Sequence, residues 1–418
     1  MKNILILFIA MMTGLSAIAQ EFDISLQLRP RFEFRNGYKT LLDKGQDATS
    51  LVSQRSRIKL NFSNEKLQLK FSAQNIRVWG DVSTMTTFDK NGIAVFEALG
   101  TYLVSPGFSF SLGRQVLSYD NQRIFGEVDW AQQGQSHDAA LLSLLPKENQ
   151  RLDLGFALNS DKENLFETPY QVNNYKNMQF AWYHLDFNRS GISFLLLNTG
   201  YEFPVSESTR EIQYLQTGGS YYKFNRNNFF GDFFGYMQVG EKANRNVEAW
   251  NLGGIMNYKI SETWSIAAGG EYLSGTDMGA TSEELHSFTP LFGTNHAFNG
   301  FMDYFYVGNH QNSVGLKDLY GKFIYTSGKL NISAIPHVFY SAADVQDTSF
   351  NKMNPYLGTE IDLTGNYKVN EMFSIAIGYS QMFGTKSLEI LKGGNANRTQ
   401  NWAWLAVNFN SGLFSTSK

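Results

Sequence analysis

Residues 23 to 35 read Asp-Ile-Ser-Leu-Gln-Leu-Arg-Pro-Arg-Phe-Glu-Phe-Arg, a run in which apolar and polar side chains take turns. Strand side chains alternate between two faces. One face therefore carries Ile24, Leu26, Leu28, Pro30, Phe32 and Phe34; the other carries Ser25, Gln27, Arg29, Arg31, Glu33 and Arg35. Pro30 lacks a ladder donor, so a bulge or a local relaxation is expected there. The next run sets Ile58, Leu60 and Phe62 against Arg55, Arg57, Lys59 and Asn61, and a third sets Leu67, Leu69, Phe71 and Ala73 against Gln68, Lys70, Ser72 and Gln74. In the third run the phase puts Arg77 on the apolar face unless a bulge intervenes near Asn75. Similar dyads recur to the C-terminus. Together they predict about eighteen strands, starting near residues 23, 54, 66, 93, 107, 136, 149, 177, 190, 211, 228, 247, 263, 315, 328, 356, 371 and 400.

A water-soluble sandwich also alternates. Three further features select a membrane barrel. The polar faces cluster like charges, which a packed core does not tolerate unpaired. Trp and Tyr stand near many strand ends, as in the aromatic girdles of outer-membrane barrels. The N-terminus reads as a secretory signal: Lys2, the short apolar run Ile4 to Met12, then Ala17-Ile18-Ala19, predicting cleavage before Gln20. The expected fold is an all-β, transmembrane, antiparallel β-barrel with a signal peptide at 1–19 and one barrel over 20–418. Its surroundings would be outer-membrane lipid.

Composition narrows the function classes. The 418 residues are 43% apolar, 17% charged and 15% aromatic, with 37 Gly and 8 Pro. No run beyond the N-terminus approaches the ~20 apolar residues of a membrane helix, and aromatic richness excludes a disordered chain. A net charge of −3 gives no overall basic field for nucleic acid. With no cysteine there is no disulfide, thiolate metal site or thiol nucleophile. Ser136-His137-Asp138 cannot form one relay, because neighbours on a strand point to opposite faces. No HExxH, GxSxG or phosphate-binding glycine loop occurs, and no cofactor is assigned.

The longest connection runs from 276 to 314 and is expected to fold inward and narrow the channel, since long connections are usually functional. It contains Ser287-Phe288-Thr289-Pro290-Leu291-Phe292-Gly293-Thr294-Asn295-His296 and Phe301-Met302-Asp303. His286, His296 and His310 lie in it with acids nearby, which leaves metal binding open. Upstream stand Gly113-Arg114-Gln115, Tyr119-Asp120, Arg123 and the segment Arg77-Val78-Trp79-Gly80. In these segments, and in strand rhythm over the mature chain, the sequence resembles the alginate-export family of outer-membrane porins. The resemblance implies an 18-stranded barrel whose arginine-rich lumen passes an anionic polysaccharide. It also implies lumen positions for Arg77, Arg114 and Arg123, and a structured loop carrying Phe292, His296 and Asp303. The chain departs from the family in its balancing acids and in the nine residues after Phe409.

The lumen chemistry also follows from the residues. Antiparallel neighbours bring Arg29 and Arg31 near Arg55, Arg57 and Lys59, and guanidinium forks match carboxylates. Rings of Arg or Lys select anions in pores. Pairing with Glu33, Glu97, Asp120 and Glu127 in a water-filled structural network is the alternative for any one of them. Three functions follow as expectations: passage of anionic polysaccharide, general diffusion of small solutes, or a barrel hydrolase with a Ser/His pair at the lipid boundary. The first is preferred, and the last fits least.

Overall fold

The computed structural model describes residues 20–170, 172, 174–204, 210–280, 283–294, 296–310 and 313–416; the expected signal peptide lies outside them. The strands are β1 (Glu21–Asn36), β2 (Thr49–Ser63), β3 (Leu67–Val78), β4 (Ala94–Ser105), β5 (Phe108–Gln115), β6 (His137–Lys147), β7 (Gln150–Leu158), β8 (Asn177–Phe187), β9 (Ser190–Pro204) and β10 (Arg210–Arg226). They continue as β11 (Phe229–Lys242), β12 (Arg245–Lys259), β13 (Trp264–Leu273), β14 (Glu284–Leu285), β15 (Leu316–Ser327), β16 (Leu330–Tyr340), β17 (Tyr356–Asn370), β18 (Phe373–Gly384) and β19 (Gln400–Ser415). The short helix α1 (Lys386–Lys392) precedes β19. β14 is a two-residue piece of a loop, parallel to β12. The other strands form a closed antiparallel barrel of 18, each paired with its neighbours in sequence and β1 with β19. Closure leaves no edge, so the backbone groups of the wall are paired internally, as hydrocarbon requires.

Connections alternate in length. One end has short turns, such as 148–149, 188–189, 227–228 and 328–329; the other has the long segments 79–93, 116–136, 274–315 and 385–399. In outer-membrane barrels short turns are periplasmic and long loops extracellular. The outward face exposes Leu26, Phe71, Leu112, Leu196, Phe233 and Ile377. Near the short turns it carries paired rings, including Phe229 with Tyr258 at 4.8 Å, Trp264 with Tyr325 at 4.8 Å and Phe373 with Phe409 at 5.0 Å.

Three local expectations resolve in detail. At Pro30 the β1–β19 pairing lapses between Leu28↔Phe409 and Arg31↔Ala406 without a change of register, while Pro30↔Gln54 holds on the other side. This is relaxation, not a bulge. Residues 410–415 do not trail as a tail: they extend β19 to Ser415 against Asp23, and Phe414 meets Phe22 at 6.3 Å. β2 begins at Thr49, earlier than expected, because its polar start continues to pair with Arg35 of β1.

One outward patch is polar. Asn198 Nδ2 donates to Gln179 Oε1 at 2.7 Å and Gln216 Nε2 donates to Asn198 Oδ1 at 2.8 Å, beside Leu196, Met237 and Val239. A buried group left without its partner costs about 1–3 kcal/mol, whereas removing both partners is nearly neutral. Asn198→Leu alone should therefore lower unfolding stability in detergent by about that amount. The triple change of Gln179, Asn198 and Gln216 to Leu should recover most of it. Denaturant titration of the folded barrel reads both, and a triple variant weaker than the single one would refute a self-satisfying amide row.

Candidate functional site

The inward face of β1 and β2 gathers cations because the register places Arg29 opposite Arg55 and Gln27 opposite Arg57. Arg31 and Lys59 lie on the same face by alternation. Like charges directly opposite each other are destabilising, and the segment 116–136, which crosses the lumen, relieves this. Asp129 accepts from Arg29 Nη1 at 3.0 Å and pairs with Arg55 Nη2 at 2.8 Å. Backbone carbonyls of Asp129, Trp130 and Ala131 take further guanidinium protons from Arg29 and Arg31 at 2.7–3.3 Å. Burial raises the Asp129 carboxyl, but Arg29 and Arg55 outweigh that and hold it below the usual carboxylate range.

The cations differ in how fully they are met. Glu33 takes Arg31 Nε at 3.0 Å, Arg35 Nε at 3.0 Å and Trp402 Nε1 at 3.1 Å. Arg57 bonds only to an amide, Gln74 Oε1 at 2.6 and 2.8 Å, and lies 3.7 Å over the Phe96 ring. Phe96 reaches it because a register shift in the β3–β4 pairing leaves that residue unpaired. Lys70 pairs with Glu97 at 2.7 Å. Among the described residues no carboxylate forms an ion pair with Arg57 or Lys59. The wall therefore keeps uncompensated positive charge.

Two loops plug the lumen, where one was expected. The 274–315 loop does fold inward: the Met302 and Phe301 amides donate to Glu360 and Asp362 of β17 at 2.7 and 3.2 Å, and Asn299 Nδ2 donates to Glu271 of β13 at 2.8 Å. The 116–136 loop interlocks with it. Gly126 N donates to Phe292 O at 2.9 Å, Phe292 N to Ile124 O at 3.1 Å and Thr294 N to Gln122 O at 2.9 Å. Gln135 Nε2 adds a bond to Phe292 O at 2.7 Å. The approach needs glycine at 293, where a Cβ would come within 2.2 Å of the Arg123 carbonyl.

The remaining expected residues separate into two groups. Phe292 stacks on Phe125 at 5.5 Å. Trp130 lies between Arg31 and His296, each 4.1 Å from its ring, and Asp303 bonds both His296 Nδ1 at 3.2 Å and the Tyr38 hydroxyl. Burial raises the Asp303 carboxyl, yet His296 and Tyr38 bring it below its ordinary value. Arg123 is 1% exposed and joins Glu271 at 2.6 Å and Asn299 Oδ1 at 3.0 Å, so it ties the loops to β13 and does not line an open path. Arg114 is not with the cluster, and Arg77 stands at its edge, lining one cleft with Arg31 and Arg35. The β2–β3 register runs unbroken from Ser63↔Gln68 to Ser53↔Val78, so no bulge turns Arg77 inward. It pairs with Asp89 at the rim. Arg114 shares the outward face of Leu112 and pairs with Asp138 at 2.7 Å.

Sequence reasoning missed the 116–136 plug and its Asp129, Trp130 and Gln132. The available signal was the gap between the strands expected near 107 and 136, as revealing as the one chosen. A cleft of about 540 Å³ opens above this plug, lined by Arg31, Arg35, Tyr38, Lys39 and Trp130 among others. Ser193, buried in the lumen, lies 2.8 Å from His184 Nδ1 but gives its proton to Asp120 at 2.6 Å. That pair is neither at the lipid boundary nor arranged as nucleophile and base. Among the described residues no group of three or more His, Asp or Glu is placed to hold a metal ion.

Among solved structures, the outer-membrane protein OpdK from Pseudomonas aeruginosa is similar, with a TM-score of 0.63 at 11% identity over 94% of this chain and 98% of that one. OccK9 (OpdG) from Pseudomonas aeruginosa gives 0.63 at 13% identity over 94% and 98%. A BenF-like porin from Pseudomonas fluorescens Pf-5 gives 0.62 at 12% over 94% and 99%. At these identities the likeness is one of fold. No curated protein matches the chain. The family model described as "Alginate export" matches residues 20–385. With that match over most of its length and a porin-like barrel with a plugged, charged lumen, the chain belongs to the alginate-export family and is an outer-membrane channel.

Proposed function

We propose that the channel passes carboxylated solutes, an alginate-like anionic polysaccharide or its smaller relatives, along the cationic wall of β1 and β2. The observation that carries this reading is the charge of Arg57 and Lys59, which no ion pair among the described residues cancels, beside the paired Arg29, Arg31 and Arg55. Guanidinium groups hold carboxylates in a fixed fork, and a succession of them lets an anion exchange partners as it moves. A second reading, passage of small anions only, is favoured by the backbone bonds between the two plug loops. Vesicle swelling with uronate monomers and oligomers separates the two. Entry of monomers alone supports the second, and exclusion of both refutes carboxylate passage.

Reversal potentials in planar bilayers should show anion preference that weakens as salt rises, since ~0.15 M salt screens charges beyond about 8 Å. Arg57→Ser with Lys59→Ser should shift the preference towards cations more than Arg31→Ser, whose charge Glu33 already meets. A wild-type channel that prefers cations would sink the reading.

The plug should also respond to acid. Because its folded pKa is depressed, the Asp129 carboxylate stabilises the docked loop above its unfolded pKa, about 3.9, and this contribution is lost as pH falls through the folded value. Conductance and anion preference should therefore rise as pH falls below about 3.9 and on through the lower folded value. Asp129→Asn should show the raised values already at pH 7, with a smaller further change on acidification. Unaltered conductance in that variant would show that Asp129 does not hold the plug.

A further inference from the structure

The outward face of β10 lacks the apolar side chains that its neighbour β9 presents at Ile192, Phe194 and Leu196. Between Tyr214 and Tyr222 it carries only Gln216, Gly218 and Ser220. Alternation fixes this facing, because Leu215, Thr217 and Tyr221 are buried on the lumen side. Tyr222 stacks on Phe187 at 6.3 Å beside the short turn 188–189, which places it in the periplasmic girdle. Tyr214 stands eight residues nearer the long loops. On a strand tilted ~40° the two rings differ in height by about 20 Å, so the residues between them face the apolar band, which is ~25 Å tall. The amide row across β8, β9 and β10 ends at Gln216. Its Nε2 gives one of two protons to Asn198 Oδ1 at 2.8 Å. Its Oε1 and the Ser220 hydroxyl form no hydrogen bond among the described residues. Next to the row a groove of about 450 Å³ opens over Gly218. Leu196, which the register sets opposite Gly218, stands 69% exposed at its edge. A knob and a hole adjoin on one surface.

Hydrocarbon offers no hydrogen-bond partner, and a polar group left unmet in it costs free energy. An acyl chain would fill the groove but leave Gln216 and Ser220 unmet. A surface that holds donors, acceptors, a knob and a hole together is complementary to itself. We propose that this wall is a dimer interface, and that its occupant is a second copy of the chain in the same membrane. Both copies keep their long loops on one side, so the two-fold axis runs along the membrane normal and the contact is isologous. With the axis at β10, Gln216 and Ser220 meet their own counterparts, whose amide and hydroxyl can both give and accept. Leu196 on β9 then faces β11 of the other copy, where Met237 and Val239 edge the equivalent groove. The interface is independent of what the channel passes.

The chain has no cysteine, so a single introduced thiol reports on one position. In outer membranes carrying the full-length protein, a membrane-permeant oxidant such as copper phenanthroline should cross-link Ser220→Cys to a dimer, because the two thiols meet near the axis. Ile377→Cys, exposed on the outward face of β18 across the barrel, should stay monomeric under the same treatment. Adding Gly218→Phe or Gln216→Leu to Ser220→Cys should cut the cross-linked fraction several-fold. Heat-dependent gel migration checks that each variant is a folded barrel, and maleimide labelling after solubilisation checks that its thiol is free to react. Light scattering of the unmodified protein in mild detergent should give twice the chain mass, and Gly218→Phe with Gln216→Leu should bring it to one. Cross-linking of folded Ser220→Cys no greater than that of Ile377→Cys would overturn the proposal. So would a product whose mass is not twice that of the chain, or a yield that neither added change lowers.

Discussion

The interior depends on one carboxylate shared by two arginines. Arg29 and Arg55 stand directly opposite each other on neighbouring strands. Two like charges ~4 Å apart in surroundings of effective dielectric ~20 repel by about 4 kcal/mol. Asp129 changes that repulsion into a bridge. Because Asp129 belongs to a connection and not to the wall, satisfying the wall also fixes the connection across the lumen. The carbonyls that follow it finish the hydrogen bonding of Arg29 and Arg31.

The rest of the lumen is organised around the complementary problem. Glu271, Asp318, Glu360 and Asp362 are buried on the inner faces of β13, β15 and β17. They are met by Arg123, by His337 at 2.9 Å from Asp318, by Asn299, and by the amides of Phe301 and Met302. Carbonyls of one loop answer the cations and amides of the other answer the acids. The two plugs are thus held against oppositely charged walls and meet at Phe125 and Phe292. The acids are answered largely by protein groups, whereas Arg57 and Lys59 form no ion pair among the described residues. The lumen field is therefore positive at the β1–β2 wall although the whole chain is slightly acidic.

Most of the barrel was legible because alternation is local: each strand states its own two faces, and the starts of β8, β9, β17 and β19 fall where the pattern put them. The shared face of Arg29, Arg31, Arg55, Arg57 and Lys59 followed from the same period. Arg77 shows what phase and motif likeness each contribute. The phase of β3 put it outward, and the register agrees; the family resemblance drew it to the lumen, and at its end of the strand it lines the cleft with Arg31 and Arg35. Arg114 follows the phase alone, with Leu112 on its face. The second plug was not legible, because Asp129 and Trp130 carry no periodicity. Their partners lie about a hundred residues away in β1, and only closure of the barrel brings them together.

The interlock sets a scale for what can pass. Separating the loops breaks the three backbone bonds among Gln122, Ile124, Gly126, Phe292 and Thr294 and the Gln135 side-chain bond. At a net ~0.5–1.5 kcal/mol each, these resist opening by about 2–6 kcal/mol, before the aromatic contacts are counted. With every ~1.4 kcal/mol worth a factor of ten, an open form at the weak end is a minor but accessible state. At the strong end it is rare. Arg55 and Arg57 are buried in the closed form, so on the proposed path a solute must wait for that opening, and it can tip the balance only by binding the open form better than the closed one. The cationic wall supplies such a preference wherever the departing loop uncovers Arg29 and Arg55 with Asp129 removed from them. A polyanion would then take over, carboxylate by carboxylate, the role that the loop plays in the closed channel.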